Sequence, residues 1–365
     1  MGAIQNIFTT HGPAYLEKFG ANMPSAHRPV IDAIISCRSP IHGFTVYECE
    51  KCGKKHHIYR GCGNRHCPSC QSAKALDWME VQLENLLPGN YFMITFTIPK
   101  EMRPFMRSHQ RVTYNALFTA SSLAIKTLTP NPKHIGGDLP GFFGVLHTWG
   151  RQMQYHPHVH YIAPGGAFNT QDGTWHCARP DFYLPVKALS KIYRAKFRDA
   201  MLAAGLADQI DPLTWQTGWN VNIQAVGSGR NTVRYLSHYV FKVAISDFRI
   251  DAFEDGMVTF RYRKPGSNRD RRITVSAFEF IRRYLQHVLP AGFMKIRYYG
   301  FMNANASVSL DQIRSLIALK SGFEIESQQL TDTAGRTLYC PDCGGQLIYQ
   351  YSILPYMMIF GPGAG

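Results

Sequence analysis

Acidic residues are scarce in this 365-residue chain, where 25 Asp and Glu stand against 39 Lys and Arg for a formal net charge of +14 at pH 7. Such a field disfavours basic partners and makes an anionic polymer the natural one. Long apolar runs are missing too. The longest candidate, near the C-terminus, is broken by Pro355 and glycines, so no stretch approaches a membrane-spanning length. The start, Met1-Gly2-Ala3-Ile4-Gln5-Asn6, lacks a basic region followed by a long apolar one, and Asn6 stands where a myristoylation signal needs Ser or Thr. A cytosolic chain is expected. Internal repeats and low-complexity tracts are not apparent. The nine cysteines are odd in number and unevenly spread, which fits metal binding better than a disulfide framework.

What is present is core material: 45% of the residues are hydrophobic and 13% aromatic, enough for two or three domains. Residues 1–40 carry apolar positions at helical spacing, with Pro29 suited to a first helical turn. Next come Cys49-Glu50-Lys51-Cys52-Gly53 and Cys67-Pro68-Ser69-Cys70. Two such Cys-x2-Cys knuckles bring four thiolates to a tetrahedral zinc, and Gly53 permits the tight turn after the first. Cys62, His57 and His66 are the substitutes should one ligand differ. A closed four-thiolate site stabilises folding and leaves no position for catalysis.

A helix is expected over 72–87 and a buried strand over 91–98, followed by a helical pattern at 104–128 and strands at 142–148 and 156–162. This succession reads as an α+β sheet with helices on one side. In the last strand, His158 and His160 are two apart and share a face, while Val159 between them points into the core. They offer two imidazoles to a metal. A histidine-rich strand with no ligand is the plainer alternative. Further on lie a basic helix from Val186, an alternating strand at 219–226, and the segment Tyr235-Leu236-Ser237-His238-Tyr239-Val240-Phe241-Lys242. On a helix, Tyr235 and Tyr239 stand on one face and Lys242 follows on the same side. Tyrosines at that spacing often serve packing alone. Taken with the histidines they make a chemical set: a metal polarises a phosphate, a phenol attacks phosphorus, and Lys242 stabilises the developing charge.

These residues resemble the insertion sequence 91 family of bacterial transposases, rolling-circle enzymes with a two-tyrosine HUH nuclease, in which two histidines flank one hydrophobic residue. The similarity runs through the Cys49–Cys70 segment, Phe96-Thr97-Ile98-Pro99, Leu146-His147-Thr148-Trp149-Gly150, His158-Val159-His160, 235–246, Phe260-Arg261-Tyr262-Arg263 and 285–293. It implies an α+β fold whose central antiparallel-sheet nuclease domain has helices on one side, beside a small N-terminal zinc-binding module. It also implies His158 and His160 as ligands of Mg²⁺ or Mn²⁺, Tyr235 and Tyr239 as nucleophiles, and structural Zn²⁺. Tyr239-Val240-Phe241-Lys242 looks like the Tyr-x2-Lys of rolling-circle replication proteins, which puts Tyr239 first in cleavage. The family pattern has Gln directly after the Trp-Gly pair. Here Arg151 takes that place, so the third ligand is expected at Gln152, then Gln154, then His156. The partner implied is DNA, chiefly single-stranded element ends and target DNA, for a cytoplasmic, nucleoid-associated protein. A replication initiator or relaxase-type nickase shares the chemistry, and a non-catalytic zinc-ribbon nucleic-acid binder is the alternative from another class.

Toward the C-terminus, Met257–Lys264 and Arg269–Val275 read as a hairpin whose Arg261, Arg263, Lys264, Arg271 and Arg272 could follow a DNA backbone, with Phe260 and Tyr262 placed to stack bases. Cys340-Pro341-Asp342-Cys343 is half of a second zinc knuckle, with Cys37, Cys177 or a histidine as the candidates to complete it and a half-site that binds no metal as the alternative. The expected division is 1–88 for the helical and zinc-binding part, 89–250 for the nuclease, 251–330 for a basic DNA-binding region and 331–365 for a tail.

Overall fold

The computed structural model describes residues 2–240, 244–264, 266–267, 269–321 and 337–355, and for His238, Tyr239 and Ser321 the backbone path alone. The chain opens with helices α1 (Ala3–Phe19) and α2 (His27–Ser36), the hairpin β1 (Phe44–Cys49) and β2 (Lys55–Tyr59), and α3 (Gln71–Glu84). Then come β3 (Tyr91–Thr97), α4 (Met102–Ser108), α5 (Gln110–Leu128), β4 (Phe142–Trp149) and β5 (Tyr155–Pro164). A short hairpin, β6 (Gly166–Asn169) and β7 (Thr174–Cys177), leads to α6 (Val186–Ala203), β8 (Val221–Ala225) and α7 (Arg230–Val240). The last third holds β9 (Ile250–Glu254), β10 (Met257–Arg263), β11 (Asp270–Ser276), α8 (Ala277–Leu285), β12 (Ile296–Tyr299), α9 (Leu310–Ser321) and β13 (Leu347–Ile353). The helical pattern at 104–128 divides in two because His109 leaves helical geometry, with φ −121° and ψ 42°.

Five strands form the central sheet in the order β12-β4-β5-β3-β8, every neighbouring pair antiparallel. Strand side chains alternate between faces, and the two faces here carry different chemistry. On one, Phe92, Ile94, Phe96, Phe142, Leu146, Val159 and Tyr161 are buried with Leu117, Phe118 and Ile125 of α5 and Leu189, Tyr193 and Phe197 of α6. Burying each such side chain contributes about 1.5–3 kcal/mol. The Tyr161 hydroxyl meets Ser121 Oγ at 2.7 Å, so this core leaves that polar tip satisfied. On the other face, Tyr91, Phe143, Val145 and Ile162 meet Val233, Leu236 and Val240 of α7 and Ile313 and Ile317 of α9. The expected layer of helices is therefore α5 and α6, while α7 and α9 pack across the opposite side.

Among the described residues, two three-stranded sheets stand beside the central sheet and the β6-β7 hairpin. Strands β11-β10-β9 and helix α8 pack against α1 and α2, with Phe8 edge-on to Tyr284 at 5.2 Å. Helix α8 starts at Ser276, whose Oγ accepts from the Glu279 backbone N–H. The second small sheet has the order β13-β1-β2, so residues 347–353 from the expected tail pair with the zinc-binding segment. Among the described residues, no helix is long and apolar enough to cross a membrane.

Candidate active site and metal centres

The α7 face of the central sheet becomes polar at one end. Cross-strand register sets His158 opposite His147 of β4 and Thr97 of β3, and His160 opposite Val145 and Thr95. Three imidazoles thus share one surface, with ring centroids 4.7 Å apart for His147 and His160, 4.7 Å for His158 and His160, and 5.4 Å for His147 and His158. Their ligating nitrogens lie within 4.8 Å of one another, close enough to share a metal ion. Burial pushes all three toward the neutral form that metals require: His158 down to about 4, His147 and His160 well below their usual value. His158 donates Nδ1–H to the His156 carbonyl at 2.7 Å, which leaves Nε2 with a lone pair. His160 Nδ1 lies 2.8 Å from Thr95 Oγ1. Such outer contacts hold ligating rings in place.

His147 was not among the residues the sequence singled out. The sequence carried only a partial signal, one histidine in a mostly apolar strand, and its place opposite the His-x-His strand comes from the β4–β5 pairing. Gln152, the first expectation for the third ligand, sits in the β4–β5 turn beyond the Trp149–Tyr155 pair, roughly 10 Å along the strands from the His147–His158 pair. Its backbone N–H bonds Gln154 Oε1 at 2.9 Å and its carbonyl accepts from Arg283, so the turn itself uses these groups. His156 neighbours His158, with ring centroids 5.1 Å apart, but its Nδ1 is engaged 2.7 Å from Arg103 Nη2. The structure brings His147 into the cluster with His158 and His160, and His156 is not a member of it.

Helix α7 buries Thr232, Val233, Leu236, Ser237 and Val240, and leaves Tyr235 51% exposed. The Tyr239 side chain and all of Lys242 lie outside the described residues. Val240, one residue beyond Tyr239, lines a cavity of about 400 Å³ together with Leu146, Thr148 and Trp149 of β4, so this end of α7 adjoins the stretch that carries His147. Arg65, Lys74 and Lys295 line the same cavity. Burial, and then the Arg65 charge, push Lys295 down to about 7.

The cysteines regroup. Cys49, Cys52, Cys67 and Cys70, expected to share one ion, fall into two clusters: Cys37, Cys62, Cys67 and Cys70 in one, Cys49, Cys52, Cys340 and Cys343 in the other. The cause is the β1–β2 hairpin. It directs Cys49 and Cys52 toward β13, while Cys67 sits in the core between α1, α2 and α8 with Cys37 from the end of α2. In the first cluster, Sγ of Cys70 lies 3.4 Å from Cys37 and 3.7 Å from Cys62. A hydrogen bond from Cys67 pulls the Cys62 thiol down to about 5, toward the thiolate that binds metal. His66, a proposed substitute, is engaged elsewhere, its Nε2 accepting from the Leu289 N–H at 3.1 Å. His57 is exposed at the edge strand β2, and Cys177 is exposed at the end of β7.

The basic hairpin forms, as β10 and β11, but its cations are partly neutralised. Asp251 pairs with Arg261 at 2.6 Å and Arg272 at 2.8 Å, and Asp270 with Arg263 at 2.9 Å. Lys264 and Arg271 are exposed. Phe260 is fully buried against Phe280 and cannot stack on a base, while Tyr262 remains half-buried.

Residues 7–98 match the family model described as "Transposase zinc-binding domain", and residues 141–309 the one described as "Putative transposase". The chain is 34% identical to "Putative transposase y4qJ" of Sinorhizobium fredii (strain NBRC 101917 / NGR234), with 94% of each chain covered. It is 28% identical to "Transposase for insertion sequence element IS801" of Pseudomonas savastanoi pv. phaseolicola, over 82% of this chain and 76% of that one. No solved structure matches. A zinc-binding domain ahead of a transposase domain defines a transposase, an enzyme that acts on DNA. The chain belongs to the insertion sequence 91 family of transposases.

Proposed function

We propose that this transposase is a metal-dependent HUH nuclease that nicks single-stranded DNA at an element end and transfers it through a 5′-phosphotyrosine intermediate, in rolling-circle transposition. The observation that carries this reading is the convergence of His147, His158 and His160 on the sheet face covered by α7, the helix that bears Tyr235 and Tyr239. Three neutral imidazoles fit a divalent ion and leave positions for phosphate oxygens. A bound Mg²⁺ or Mn²⁺ would supply polarisation of the scissile phosphate. The phenol oxygen bonds phosphorus as its proton passes to solvent, the P–O3′ bond breaks, and the departing 3′ oxygen takes up a proton from solvent, so none is gained or lost overall. The tyrosyl phosphate conserves the bond energy, so a 3′ hydroxyl can reverse the step at a new site without a nucleotide cofactor. Arg65 and Lys74 around the adjoining cavity give a cationic seat for the strand.

Tyr239 is assigned the first cleavage. A phenol with an ordinary pKa near 10 is almost wholly neutral at pH 7, and Tyr239 is three residues from Lys242 along the chain whereas Tyr235 is seven. Tyr239→Phe should eliminate the covalent adduct with a labelled single-stranded element end, while Tyr235→Phe leaves first nicking measurable and impairs completed transposition. Mass spectrometry of the trapped adduct decides it. A nucleotide on Tyr235 with Tyr239 unmodified would reverse the assignment, and nicking that persists in His158→Ala or in excess EDTA would remove the HUH mechanism. The first zinc cluster, Cys37, Cys62, Cys67 and Cys70, is assigned a structural role between α2, α3 and α8.

A further inference from the structure

We propose that Cys49, Cys52, Cys340 and Cys343 form a second, independent zinc site that clasps the C-terminal strand onto the N-terminal module. It does not rest on the catalytic reading above. The two halves are equivalent turns. In the first, the Cys49 N–H donates to the Lys54 carbonyl at 3.0 Å, the Gly53 N–H to the Cys49 carbonyl at 2.9 Å, and Gly53 has φ +68°. In the second, the Cys340 N–H donates to the Gly345 carbonyl at 2.7 Å, the Gly344 N–H to the Cys340 carbonyl at 2.9 Å, and Gly344 has φ +71°. A left-handed residue closes each turn, the conformation that favours glycine.

The sulfur geometry fits zinc. Cys49 and Cys343 Sγ are 3.4 Å apart, Cys52 and Cys340 Sγ 3.9 Å, and all four lie within 4.8 Å of one another. Four thiolates about 2.3 Å from a tetrahedral ion stand about 3.8 Å apart. Close approach is enforced by Gly345, where a Cβ would come within 2.8 Å of Cys49 Sγ and 2.6 Å of Lys51 Cβ. Around the cluster, Lys54 pairs with Asp342, and the Glu50 N–H donates to the Gln346 carbonyl at 3.0 Å. His56 Nε2, 3.3 Å from Cys340 Sγ, is placed to donate to a thiolate.

The energetics point the same way. Among the described residues, the apolar cluster at β13-β1-β2 has three buried members, Cys49, Cys340 and Leu347, beside the buried Val46 of β1. So small a core does not hold a three-stranded sheet, and structural metals take that role in small modules. The ligands are also interleaved: Cys49 and Cys52 fall between Cys37 and Cys62 of the first cluster, so the second site closes a loop inside the first and draws in the chain from 340 onward. Filling it therefore requires the C-terminal segment.

The test is the zinc content of the purified full-length chain, followed by amide hydrogen exchange. Two zinc ions per chain are expected in the wild type, one in Cys343→Ser or Cys340→Ser, and two in Cys343→His, which keeps a ligand. His56→Ala should retain two. Exchange of the β1 amides should accelerate at least tenfold in Cys343→Ser while β3 and β5 are unchanged. A wild type with one zinc overturns the proposal whatever the variants do. So would two zinc ions in Cys343→Ser, unchanged β1 exchange on loss of Cys343, or loss of a zinc with His56 and not with Cys343.

Discussion

The histidine face and the cysteine clusters are both groups of metal-ligating side chains, yet they are built in opposite ways. The three histidines come from two neighbouring strands of a sheet whose other face is packed with aromatic and aliphatic side chains. Their positions exist without an ion, because strand register sets them, and three ligands leave coordination positions open. Each cysteine cluster has four soft ligands drawn from turns and helix ends, which close a tetrahedral ion completely. Open sites on rigid elements suit chemistry, and closed sites joining weakly packed segments suit stability.

The variant that separates these roles most sharply is His147→Ala. A metal that polarises phosphate supplies several kcal/mol to the transition state, so losing one ligand should slow single-strand nicking by on the order of a thousandfold. DNA affinity, spread over many phosphate contacts, should change little. Gln152→Ala should stay within a few-fold of wild type. A dead Gln152→Ala beside an active His147→Ala would return the third ligand to the turn.

Cys67→Ser should do the reverse, removing one zinc and lowering the unfolding midpoint by roughly 10 °C or more. Calorimetry with metal analysis measures both. His57→Ala should leave zinc and midpoint unchanged; if it alone released the ion, the four-cysteine grouping would be wrong.

The smallest effect is expected at Thr95→Val, which keeps the volume but removes the hydroxyl 2.8 Å from His160 Nδ1. Loss of an outer partner of a metal-ligating histidine weakens metal binding about tenfold or more. Titration with Mn²⁺ should show that weakening with the unfolding midpoint within a few degrees. An unaltered affinity would mean that packing alone orients His160.

Much of the central sheet was legible because its strands are short apolar runs bounded by Pro and Gly, and period-two alternation put His158 and His160 on one face. The third imidazole was not. His147 belongs to another strand, and only the pairing of β4 with β5 sets it opposite His158. The hairpin at 257–275 was visible as a pattern, but which of its cations face solvent was not. Asp251, on a strand the sequence reading had not identified, takes up two of them.

By itself, the sequence determined the local features: helices and strands from hydrophobic period, a basic surface from composition, knuckles from Cys-x2-Cys spacing, and the family from its motifs. Only the tertiary structure decided which halves belong together. A knuckle supplies two ligands and carries no mark of its partner. The pairing of Cys49 and Cys52 with cysteines 288 or more residues away follows from β13 adding to β1, and Cys67 with Cys37 from the packing of α2. Ligand identity is a property of residues, whereas ligand grouping is a property of distance. Distance between segments remote in sequence is set by the packing of the whole chain.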